Sequence, residues 1–139
     1  MSVIVTDTGF GADDWQAGYI PLQDFPGDEA GQALSVDVPS DADPADLEGR
    51  LDGIEMIRVD FPSFADGRGF TVAARLRRMG YAGRLRAKGH VIADQYAMAR
   101  RSGFDEVEID DDLAARQPED QWLRRAQWKA NHYQARLRA

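Results

Sequence analysis

Two short stretches hold the side chains best suited to chemistry. Phe61-Pro62-Ser63-Phe64-Ala65-Asp66-Gly67-Arg68-Gly69 combines a hydroxyl, a carboxylate, a guanidinium and two glycines that let backbone come close to a ligand. Gly89-His90-Val91-Ile92-Ala93-Asp94 adds an imidazole and a second carboxylate, with Arg86 and Lys88 just ahead of it. In one reading Ser63, Gly67, Arg68 and Gly69 form a cradle for a small oxyanion or a cofactor phosphate, with Arg68 as its bidentate partner. In the other, Asp66 caps a helix, the glycines serve a turn, and Arg68 pairs with Asp66 or Asp94. Asp66 repels an anion unless a cation neutralises it, which favours the second reading. His90 is a candidate base at the end of a strand.

Both stretches fall where a strand gives way to a helix, the place where parallel α/β folds bind ligands. Ile54 to Phe61 is apolar enough for a central parallel strand, and the pattern Phe70, Ala73, Leu76 with Gly80 predicts a helix to Met79. Arg84 to Lys88 reads as a shorter strand, Ala93 to Ser102 as a helix, and Glu106 to Asp110, where Val107 and Ile109 alternate with acids, as the next strand, followed by an acidic turn Asp110-Asp111-Asp112. Upstream, Ala33 to Val38 reads as a strand and Pro44 to Leu51 as a short helix. Downstream of Pro118, the stripe Leu123, Ala126, Ala130, Tyr133 and Leu137 predicts a long C-terminal helix. Strands alternating with helices imply right-handed crossovers and a largely parallel sheet of about four strands. An open sheet is preferred to a half-barrel, which would leave two edges exposed. Residues 1–32 read as an irregular lead with one hairpin and 33–139 as the βα core of one domain.

Composition excludes several classes of function. The chain has no cysteine, which removes disulfides, thiolate nucleophiles and cysteine-held metal clusters. His90 and His132 lie far apart and not at ligand spacing, so no metal site is expected. No stretch is apolar enough to cross a membrane and Met1 to Phe10 does not read as a signal peptide, so the expected setting is cytoplasmic. The net charge of −7 argues against nucleic acid. It also hides an asymmetry: residues 1–67 carry 15 acidic and 2 basic side chains, residues 68–139 carry 9 and 15. Either the surface is two-faced or the arginines are spent on nearby carboxylates.

The run from Phe61 to Phe70 resembles the signature of the bacterial domain-of-unknown-function family nine-three-four. The likeness continues through Leu76-Arg77, Gly80-Tyr81-Ala82-Gly83, Leu85-Arg86-Ala87, Asp94-Gln95, Arg101-Ser102-Gly103-Phe104-Asp105 and the terminal Tyr133-Gln134. The family commonly has acids where Arg84 and His90 stand here. The resemblance implies an accessory protein of assimilatory sulfite or sulfate reduction, an inference from gene neighbourhood. Its expected partners are the sulfite reductase or an electron carrier. A flavin- or nicotinamide-dependent oxidoreductase of the same pathway is the alternative it leaves. It also marks Asp66, Gly67, Arg68, Gly69, Arg86, Asp94 and Arg101 as shared positions. Six-electron reduction of sulfite calls for metal centres that a cysteine-free chain cannot hold through thiolates.

Overall fold

The computed structural model describes residues 2–15, 17–24 and 34–128. Its centre is a seven-stranded sheet, not one of four, made of β1 (Ser2–Thr6), β2 (Gly9–Gly11), β3 (Ile20–Pro21), β4 (Leu34–Val38), β5 (Ile54–Phe61), β6 (Arg84–Gly89) and β7 (Glu106–Asp110). They lie in the order β2-β1-β7-β6-β5-β4-β3. Strands β3 to β7 run parallel, while β1 pairs antiparallel with both β7 and β2. The N-terminal residues expected to be an irregular lead with one hairpin thus supply three strands. The hairpin itself covers the β7 edge, which would otherwise present unpaired backbone groups.

From β4 to β7 neighbours in sequence are neighbours in space, so successive crossovers of one hand all step in the same direction. Their connections therefore share one face of the sheet. They comprise two 3-10 turns (Pro44–Leu47 and Leu51–Gly53) where a short helix was expected, then α1 (Arg68–Arg78), then α2 (Tyr96–Ser102). Val36, Val38, Ile57, Val59, Phe61, Leu85, Ala87, Val107 and Ile109 point to that face and join Phe70, Ala73, Leu76, Tyr96 and Ala99 in one buried core. At 25 cal/mol per Å² of apolar surface, each of these large side chains is worth about 1.5–3 kcal/mol of burial.

Two features after β7 depart from expectation. Asp110 begins no mere acidic turn: its carboxylate accepts from Leu113 N at 2.8 Å and caps α3 (Asp111–Arg116). The helix after Pro118, α4 (Glu119–Leu123), gives way to turns through Trp128 where a long helix was expected. The remaining stripe positions, with His132, lie outside the described residues. Trp122 of α4 is buried against the Tyr96 ring, centroids 6.1 Å apart, which fastens the C-terminal segment to α2. No helix among the described residues is long and apolar enough to cross a membrane.

Candidate functional site

The glycine loop after β5 is closed upon itself. Asp66 accepts from Arg68 Nε at 2.9 Å, Arg68 Nη2 at 2.8 Å, Arg68 N at 3.1 Å and Ser40 Oγ at 3.0 Å. Those bonds from Arg68 hold the Asp66 carboxyl well below the usual carboxylate range. The carboxylate thus occupies the guanidinium fork that an oxyanion would need. Ser63 Oγ accepts from Ala65 N at 3.1 Å, so the hydroxyl also serves the turn. Gly69 is required by packing: a Cβ there would sit 2.5 Å from Phe61 Cζ, and absence of a side chain lets α1 lie against the β5 ring.

The face of the sheet without helices is charged. Asp37, Arg58, Asp60, Arg84, Arg86, Lys88, Glu106 and Glu108 all alternate onto it, with Asp37 beside Arg58, Arg58 beside Arg86 and Arg86 beside Glu106 in register. Arg58 donates to Asp37 at 2.6 and 2.9 Å and to Glu108 at 3.1 Å. Burial opposes its charge, but these carboxylates carry its pKa above the ordinary guanidinium value. Arg86 is 0% exposed, donating to Glu106 at 2.5 Å, to Glu108 and Asp13 at 3.0 Å each, and to Tyr19 Oη at 3.2 Å. Residues 12–15 and 17–19 lie over this array as a strap: Asp14 accepts from Arg84 at 2.6 Å, Trp15 Nε1 donates to Ser35 Oγ at 2.8 Å, and the Tyr19 ring lies 3.6 Å from the Arg58 guanidinium carbon. Arg86, expected at a ligand site, stands as the buried hub of an ion network.

At the carboxyl ends of the strands the charged face opens into two recesses, and Lys88 lines both. The smaller, about 140 Å³, lies at the ends of β6 and β7 and is bordered by Lys88, His90 and Arg116 together with Glu108, the register neighbour of Lys88, and Asp110. Among the described residues Lys88 and Arg116 form no ion pair, whereas Glu108 is committed to Arg58 and Arg86 and Asp110 to its cap. His90 Nδ1 lies 3.2 Å from the Phe61 carbonyl, which can only accept, so Nε2 is the ring atom left for a ligand. Gly89 makes the turn into this recess: its φ is 115°, and a Cβ would fall 2.7 Å from Phe61 O. The larger recess, about 710 Å³, lies at the ends of β4, β5 and β6 beneath Pro21 and Leu22.

The structure therefore scatters the residues picked from sequence. Asp66 and Arg68 share the α1 end with a shallow recess of about 290 Å³ reached also by Arg75. Asp94 pairs with Arg125 at 2.8 Å, and Arg101 donates to the Trp128 carbonyl at 3.3 Å. Of the nine, only His90 stands at the strand-end recesses, with Lys88, which the sequence placed only ahead of the second stretch, and with Arg116 and Asp60, which sequence reasoning did not single out. The alternation of charges along β5, β6 and β7 was the available signal, since a sheet covered on both faces is apolar at every position.

The charge-lined face and the glycine loop both fall inside residues 35–139, which match the model of one family. The chain belongs to DUF934, bacterial proteins of unknown function. The match takes in every strand from β5 to β7 and all four α-helices. The DUF934 match leaves β1, β2 and the strap outside, although these supply Asp13, Asp14 and Tyr19 to the buried network. No curated protein and no solved structure matches the chain.

Proposed function

We propose that this protein serves assimilatory sulfite reduction as an accessory binding protein. In this reading it holds a small oxyanion in the recess at the ends of β6 and β7 and docks on the reductase or electron carrier that performs the chemistry. The observation that carries it is the meeting of Lys88, His90 and Arg116 at one recess, with no ion pair made by Lys88 or Arg116 among the described residues. Two cationic side chains and an imidazole around about 140 Å³ suit one sulfite- or sulfate-sized anion, which needs charge-assisted donors and little more. The pathway rests on the gene-neighbourhood expectation that comes with the family resemblance, and a chain without cysteine needs a partner for any thiolate-held electron-transfer centre.

The test is growth of a strain lacking this gene on sulfate, sulfite or sulfide as sole sulfur source. The expected result is failure on sulfate and sulfite with normal growth on sulfide, restored by the wild-type gene and not by a Lys88→Met/Arg116→Gln double variant of equal abundance. Normal growth on sulfite without the gene overturns the pathway assignment. Full rescue by the double variant overturns the recess.

A further inference from the structure

The larger recess differs from its neighbour in chemistry. Asp60 and Lys88 are register partners on β5 and β6, so their side chains leave the same face one strand spacing apart, about 4.8 Å. Yet no ion pair joins them, and neither pairs with another charge among the described residues. The Asp60 Oδ1 lies 3.7 Å from where a Gly89 side chain would begin, so the carboxylate leans across the end of β6. Nearby, Asp37 and Arg58 are spent on each other at 2.6 and 2.9 Å. Pro21, Leu22 and Pro39 form an apolar wall, with Asp46 and Arg50 also on the lining.

We infer that this recess binds an α-amino acid with an apolar side chain. A free anion meeting Lys88 is repelled by Asp60, and a free amine meeting Asp60 is repelled by Lys88, so either charge alone is disfavoured. A molecule that carries an ammonium and a carboxylate on one carbon satisfies both, because it turns its ammonium to Asp60 and its carboxylate to Lys88. The proline and leucine side chains then cover its tail, and about 710 Å³ leaves room for it. This site is distinct from the oxyanion recess except for Lys88, which places the two ligands in competition for one ammonium.

The test is calorimetric titration of the full chain with L-leucine, with isovalerate and isopentylamine as its single-charge counterparts. Leucine is expected to bind saturably and the two counterparts at least tenfold more weakly, as loss of one charge-assisted contact requires. Asp60→Asn is expected to weaken leucine at least tenfold while leaving sulfite binding intact. Arg116→Gln is expected to do the reverse, so that failure of either site shows separately. Because Asp60 and Arg116 are both exposed, neither change endangers folding. No leucine binding at tens of millimolar, or equal binding of leucine and isovalerate, overturns the inference.

Discussion

At the scale of single residues, the same loop holds one glycine that is indispensable and one that is not. The missing side chain of Gly69 leaves room for the Phe61 ring, which also packs in a tilted contact at 4.9 Å against Phe70. A methyl group there must displace a ring in the middle of the core, and overpacking of that kind costs about 1–3 kcal/mol. Gly67 has φ −89° and a Cβ would meet Phe70 at 3.8 Å, ordinary contact. Urea unfolding is therefore expected to show Gly69→Ala destabilised by about 2 kcal/mol and Gly67→Ala within about 0.5 kcal/mol of wild type. Equal effects at the two positions would mean that backbone freedom, not the Phe61 contact, is what the loop requires. Arg68 illustrates how local chemistry misleads: its guanidinium is 61% exposed and looks ready for an anion, but Asp66 two residues earlier already fills its fork.

At the scale of elements, a sheet wound in one direction leaves one face without helices, and this protein fills that face with paired charges. Arg86 is the test case. Removing its guanidinium leaves Glu106 and Glu108, 5% and 4% exposed, without their central cation. Arg86→Met is expected to cost about 3–5 kcal/mol in chemical unfolding, and Arg86→Met with Glu106→Gln less than the sum of the two single changes. A loss below about 1 kcal/mol for Arg86→Met would show that the buried network is not needed for stability. Much of this architecture was legible in the sequence: β5, α1, β6, α2 and β7 come from apolar periodicity and stand within a few residues of their expected bounds. The sheet's width was not, because the pairing of Val3 with Ile109 or Ile20 with Val36 is long-range and leaves no local pattern. The two strand-end recesses were missed for a related reason. Asp60, Lys88 and Arg116 are ordinary charges in their own stretches and become neighbours only when strand ends align.

At the scale of the whole molecule, the opposite charges of the two halves of the chain are folded onto each other. Asp7 accepts from Arg100 at 3.2 Å, Asp13 from Arg86 at 3.0 Å, Asp14 from Arg84 at 2.6 Å, and Asp43 pairs with Arg75 at 3.2 Å. The asymmetry seen in sequence is in good part consumed by such long-range pairs. Asp7 makes the fold sensitive to acid. Burial pushes its pKa up, but hydrogen bonds from Tyr96 at 2.6 Å, Arg100 and Trp128 outweigh it and leave the carboxyl below the usual value. The Arg84 hydrogen bond lowers Asp14 in the same way, and Arg68 lowers Asp66. A carboxyl depressed in the folded state contributes stability that is fully present above its unfolded pKa of about 3.9 and is lost as pH falls through the folded value. For Asp7, 39% exposed and partly screened, Asp7→Asn is expected to cost about 1 kcal/mol at neutral pH. Thermal unfolding of the two proteins should then converge as pH drops below about 4, since wild-type Asp7 becomes neutral like its replacement. A gap that stays constant down to about pH 2 would assign Asp7 a role in packing alone, and the charge on the hairpin turn would no longer account for how β1 and β2 are tied to α2.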